Sequence, residues 1–215
     1  MLNKIKGNNW SEESLKAVFL KLIGTYSKDL SYTTECWKEI AVHYSNPSRY
    51  YHNLSHLSTM LTELEPVRSQ CEAIDTLLFS IFYHDIIYFP TKSDNEHQSA
   101  LLFKKRISNT SFRHIEECMS QIEATKTHEL STDNDTNLLL DLDLVILGKD
   151  PEAYSTYSKN IRKEYRIYPN LIYRSGRKKV LEHFLSLPAI YKTEYFRKNY
   201  EAQARTNLQN EWEQL

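Results

Sequence analysis

Eight histidines lie among 28 Asp and Glu residues in this 215-residue chain. A few of these are spaced in ways that suit metal chemistry. Tyr83-His84-Asp85 closes an apolar run in which Ile74, Leu77, Leu78, Ile81 and Phe82 recur at helical spacing. His84 and Asp85 stand three and four residues after Ile81, so both continue the stripe that faces a core. A buried carboxylate costs several kcal/mol or more unless it is paired or bound to a metal. His52 and His56 are spaced i and i+4, which puts them on one helix face. Asp141 and Asp143 interrupt the strongly apolar stretch Leu138–Leu147. His56, His84, Asp85 and either Asp141 or Asp143 thus form a mixed imidazole and carboxylate set. Such a set suits a divalent ion: Mn, Mg, Fe, Co, Ni or Zn.

These residues need helices to carry them, and the composition agrees. Four Gly and six Pro are few for a β-rich chain of this length. Hydrophobic residues are 40% and charged residues 26%, ordinary values for a globular domain. Leu15, Val18, Phe19, Leu22, Ile23 and Tyr26 predict a first helix, with Ser11 as its N-cap and Trp10 stapled onto Leu15. Trp37, Ile40, Ala41 and Tyr44 predict a second, and Leu54, Leu57, Leu61 and Leu64 a third that Pro66 ends. The His84 helix begins around Cys71, and Ser93 with Glu96 reads as a capping box for the next. Further helices run through Ile115–Thr125, Leu138–Leu147 closed by Gly148, Tyr154–Tyr168, Val180–Leu185 and Phe196–Trp212. The expectation is an all-α, single-domain bundle of roughly nine helices spanning 1–215.

Net charge is −1, so no basic field invites a nucleic-acid polymer. No apolar run reaches membrane-spanning length, and Met1–Lys6 lacks an apolar signal core. Cys36, Cys71 and Cys118 are odd in number and form no CxxC, which fits reduced thiols and a cytoplasmic location. An EF-hand is excluded: neither Asp133-Asn134-Asp135 nor Asp141-Leu142-Asp143 is followed by both the required Gly and Glu.

Four blocks in order, Tyr51-His52-Asn53-Leu54-Ser55-His56, Tyr83-His84-Asp85-Ile86-Ile87-Tyr88, Ser93-Asp94-Asn95-Glu96 and Asp141-Leu142-Asp143-Leu144-Val145-Ile146-Leu147-Gly148, resemble the HD superfamily of metal-dependent phosphohydrolases. The likeness is to its bacterial predicted-hydrolase group. It continues through Ile161-Arg162-Lys163-Glu164-Tyr165 to Ala204-Arg205-Thr206-Asn207-Leu208 and so covers most of the chain. The first block is also similar to the YHNxxH of cyclic-nucleotide phosphodiesterases. That likeness implies that His52 is the proton donor, that His56, His84, Asp85 and Asp143 are the metal ligands, and that Asp143 is chosen over Asp141. The additional histidine which those enzymes place after their HD is replaced here by Ile87-Tyr88-Phe89.

The activity implied is hydrolysis of a small-molecule phosphate ester, with nucleotides as the default substrate. Arg162 is the cation best placed by its tyrosine-lined face to meet phosphate; Arg49, Lys126, Lys163 and Arg166 are others. Glu96 stands behind the site or simply caps its helix. His128 is a second-metal ligand, a phosphate contact or an exposed helix-end histidine. Two rival readings are a non-catalytic regulatory module clamped by its metal, and a di-iron oxygenase needing ligands beyond these. Oligomeric state is left open, a homo-oligomer included.

Overall fold

The computed structural model describes residues 10–215. The reading of Met1–Lys6 falls outside the described residues. Within them are ten α-helices, two 3-10 helices and no strand. They are α1 (Glu12–Tyr26), α2 (Leu30–Tyr44), α3 (Leu54–Leu64), α4 (Ile74–Tyr83), α5 (Asn95–Ile107), α6 (Ile115–Ala124), α7 (Asn134–Asp143), α8 (Pro151–Glu164), α9 (Asn170–Ser186) and α10 (Glu194–Gln214). The all-α expectation holds, with ten helices against roughly nine. No described helix is long and apolar enough to cross a membrane.

Two helices are apolar around most of their circumference and lie at the centre. α4 buries every residue from Thr76 to Tyr83, and α7 buries every residue from Asp135 to Leu142. They pack on each other, and α3 packs on both. The other helices turn one stripe inward, as α1 does with Leu15, Phe19, Leu22 and Ile23. One cluster of buried side chains draws on all ten helices, from Leu15 to Leu208.

Both central helices break at the residues of interest. α4 ends at Tyr83, so His84 is its C-cap and Asp85 lies in the turn beyond. α7 ends at Asp143 and tightens into a 3-10 helix, Leu144–Gly148, that packs along α10. A Cβ on Gly148 would come within 2.5 Å of the Tyr200 Cβ and 2.8 Å of the Tyr191 hydroxyl. A side chain is therefore excluded at this crossing.

Carboxylates of α7 also fix other helix ends. Asp135 accepts from the backbone N–H groups of Glu72 and Ala73 at 2.9 and 2.7 Å, capping α4 from outside. Asp141 accepts from Lys192 N–H, Thr193 N–H and the Thr193 hydroxyl, each at 2.7 Å, and so caps α10. The first four N–H groups of a helix have no partner within it, and a buried one must find an acceptor elsewhere.

Several local expectations change. α4 starts at Ile74 rather than near Cys71: Ala73 is its N-cap with non-helical backbone angles, φ −124° and ψ 72°, and Asp135 accepts from the Glu72 and Ala73 N–H groups there. The third helix does end ahead of Pro66, at Leu64, and the proline sits in the first turn of a following 3-10 helix, Glu65–Gln70, where a missing N–H costs nothing. The Ser93–Glu96 capping box does not form, since the N-cap is Asp94 and its side chain bonds Gln98 instead. Ser11 caps α1 as expected, accepting from Ser14 N–H. Trp10 reaches across to α3, its N–H donating to the Ser58 hydroxyl at 2.7 Å and its indole to the Thr62 hydroxyl at 3.1 Å.

Candidate metal centre

α3, the end of α4 and the end of α7 bring His56, His84, Asp85 and Asp143 together. Each offers one ligand atom, and the four atoms lie within 4.8 Å of one another. His56 Nε2 is 3.1 Å from His84 Nε2, 3.1 Å from Asp143 Oδ1 and 4.0 Å from Asp85 Oδ2. His84 Nε2 is 3.2 Å from Asp85 Oδ2 and 3.6 Å from Asp143 Oδ1. Metal–ligand bonds of about 2.0–2.2 Å set neighbouring donors roughly 3.0–3.5 Å apart and opposed ones about 4.2 Å apart. The spacing therefore fits one ion. The tautomer fits too: His84 Nδ1–H donates to the Ile81 carbonyl at 2.9 Å, which leaves the Nε2 lone pair facing the cluster.

The electrostatics of the metal-free cluster match its composition. Burial and the neighbouring His84 lower the His56 pKa, against the pull of Asp143. For His84 burial again opposes charge, but Asp85 and Asp143 overcome it and raise the pKa well above the usual histidine value. Burial works to raise both aspartates; their histidine partners hold them below the ordinary carboxylate range. Two carboxylates in one buried site need a cation between them, and in the metal-free cluster a proton on His84 supplies it.

His52 stands at the edge of this group. It precedes α3, whose N-cap is Asn53, so the shared helix face with His56 does not exist. Its position comes from tertiary contacts. Glu164, the last residue of α8, accepts from His52 Nδ1–H at 2.7 Å and from the backbone N–H groups of Tyr51 and His52 at 2.7 and 3.0 Å. Tyr88 stacks on the other side of the ring, with centroids 4.0 Å apart. His52 Nε2 then lies 3.9 Å from Asp85 Oδ2. Burial lowers the His52 pKa, but Asp85 and Glu164 together raise it above the ordinary value. The Glu164 carboxyl is correspondingly depressed: burial would raise it, and the His52 bond wins.

Arg49 ties the two halves of the site together. Its buried guanidinium donates to the carbonyls of Asp85 and Ile86 at 2.7 and 2.8 Å and to that of His52 at 3.3 Å. Asp85 N–H donates to the Tyr44 hydroxyl at 3.2 Å. The arginine is consumed by main-chain carbonyls, so it positions the turn and is not available to phosphate. Beside His56 a cleft of about 510 Å³ opens between α3 and α8, lined by Tyr50, Tyr51, Thr59, Glu152, Tyr157 and Asn160 among others.

The remaining expected residues divide. Arg162 does not join the cluster: its guanidinium donates to the carbonyls of Tyr165 and Tyr168 and to Asn170 Oδ1, closing the turn between α8 and α9. The same five-residue block supplies Glu164 instead. Arg166 donates to the Tyr50 hydroxyl and Lys163 lies over the Tyr50 ring, while Lys126 is exposed. Glu96 lies half-buried in the first turn of α5 and makes no hydrogen bond to the four donors. Asp141 caps α10 and is turned away, whereas Asp143 faces the histidines. His128 is at the site, its Nε2–H donating to Asp143 Oδ2 at 2.9 Å. Glu164 carried no spacing signal in relation to His52, nor Arg49 in relation to Asp85, because these pairs are 112 and 36 residues apart.

No family model, no curated protein and no solved structure matches the chain.

Proposed function

We propose that this chain is a metal-dependent phosphohydrolase of the HD superfamily, acting in one 1–215 domain on a small phosphate ester. The observation that carries the reading is the buried His56, His84, Asp85 and Asp143 group with a doubly held imidazole, His52, at its rim.

His56, His84, Asp85 and Asp143 would hold a divalent ion, which would supply Lewis-acid charge and lower the pKa of water. The protein's own residues do the rest. Glu164 fixes His52 with its proton on Nδ1, so that Nε2 is the atom free to exchange a proton with the ester. Burial opposes charge on His52, but Asp85 and Glu164 raise its pKa, the direction that a general acid for a leaving alkoxide requires. Tyr88 covers the ring and Tyr51 packs against both His52 and His56, excluding water from their flanks. The cleft beside His56 gives room for the alcohol part of the ester. Among the described residues, the imidazoles beside the group are His52 at its rim and His128 on Asp143 Oδ2, and His52 is the one placed to meet charge on the phosphoryl oxygens.

The di-iron reading asked for further ligands. His128, the spare histidine, is engaged on the outer oxygen of Asp143. Against a purely structural clamp stands the His52 ring: backbone capping would need only Glu164 Oε1, whereas Oε2 holds the imidazole with its Nε2 3.9 Å from Asp85 Oδ2.

Elemental analysis of the purified protein, then a phosphomonoester and nucleotide panel with Mn²⁺, Co²⁺, Ni²⁺, Zn²⁺ and Mg²⁺ resupplied after chelation, tests the proposal. Stoichiometric transition metal with restored turnover supports it. Metal-free protein that no ion stabilises, or a loaded protein inert to every ester, overturns it.

A further inference from the structure

His128 follows α6 in a backbone conformation that its residue type rarely adopts. Its φ is 52°, the one positive value among described non-glycine residues. Its N–H donates to the Ala124 carbonyl at 3.1 Å, so it occupies the left-handed position just beyond a helix end where glycine normally stands. The ring is then aimed at the metal centre. Nε2–H meets Asp143 Oδ2 at 2.9 Å, and the ring edge rests against Phe184 of α9, centroids 6.2 Å apart. Asp143 divides its two oxygens: Oδ1 turns to His56 and His84, at 3.1 and 3.6 Å, and Oδ2 is taken by His128.

We infer that His128 is a positioning residue for the metal ligand Asp143, holding it to binding through Oδ1 alone, and that α6 terminates in a strained turn to place it. Without the bond, Asp143 can rotate about its side chain and offer either oxygen or both. A carboxylate oriented by a second residue loses about 10–100-fold in metal affinity when that residue is removed. The inference rests on the metal reading of the cluster and is independent of the substrate.

Glycine at this position separates the role from a structural one. His128→Gly removes the ring and at the same time supplies the residue type the backbone prefers. The metal-free variant should melt no lower than wild type in the presence of chelator. Its affinity for Mn²⁺, titrated calorimetrically, should fall about 10–100-fold. His128→Gln, whose amide can donate to the same oxygen, should recover part of that loss. Equal Mn²⁺ affinity in His128→Gly and wild type overturns the inference, as does a fall in metal-free melting temperature that accounts for the whole affinity change. Wild-type protein that binds no Mn²⁺ or other divalent ion would instead overturn the metal centre itself.

Discussion

Replacing Asp141 and Asp143 separately by alanine should split stability from metal binding, although the two residues are two positions apart on one helix. Asp141→Ala leaves the N–H groups of Lys192 and Thr193 without acceptors in a buried setting. An unsatisfied buried donor costs about 1–3 kcal/mol. Burial also pushes the Asp141 carboxyl up from 3.8 to about 6, so removing it relieves a poorly solvated charge at neutral pH. A net loss of about 2–3 kcal/mol follows, or roughly 4–12 °C for a chain of this size. Folding favours the protonated carboxyl. Its contribution is therefore greatest below the unfolded value near 3.8 and is lost as pH rises through about 6. The gap between Asp141→Ala and wild type should be wider at pH 5 than at pH 7.5. Asp143→Ala, in contrast, removes a proposed ion ligand. Metal at a hundredfold excess over its Kd stabilises a native site by about 2.7 kcal/mol, and that increment should vanish. Thermal melts with chelator and with added Mn²⁺ read both effects. An Asp141→Ala protein that no longer responds to metal, or an Asp143→Ala protein that responds normally, would refute the assignment of the two carboxylates.

Three further outcomes are expected. On the proposed phosphohydrolase reading, His52→Ala and Glu164→Gln should both retain metal, while kcat on any ester found to be hydrolysed falls by about 10²–10⁴ for the first and by less for the second; loss of metal on elemental analysis of His52→Ala would make it a ligand instead. Gly148→Ala should destabilise the protein by about 1–3 kcal/mol in denaturant titration, because the new Cβ meets the backbone oxygen and Cβ of Tyr200 rather than the end of a flexible side chain. Metal affinity should rise with pH, by up to about tenfold per unit while His84 is still protonated, since the ion must displace a proton that Asp85 and Asp143 hold there above the usual histidine range; a pH-independent affinity by calorimetry would place that proton elsewhere.

Local physics was legible in the residues: which stretches form helices, that Leu138–Leu147 is a strongly apolar one, and that Ser11 starts a helix, accepting from the N–H of Ser14 in the next turn. Those are contacts between near neighbours, and 3.6-residue periodicity reports them directly. The types of the four inward donors were legible as well, since a His or Asp continuing an apolar stripe is costly unless it is bound. The choice between neighbours was not. Asp141 and Asp143 both interrupt the same apolar run, and only the position of the α10 N-terminus decides that one caps a helix and the other faces the histidines. Arg162 and Glu164 sit in one block, and the turn from α8 to α9 decides that the arginine closes that turn while the glutamate reaches residues 112 and 113 positions away. His52 lies off the helix its spacing suggested and is held instead by Glu164, Tyr88 and, through its carbonyl, Arg49. A carboxylate can satisfy a buried N–H, pair with a histidine or hold an ion with the same two oxygens. Which of these it does depends on which donors the folded chain brings within about 3 Å, and sequence spacing carries no information on that.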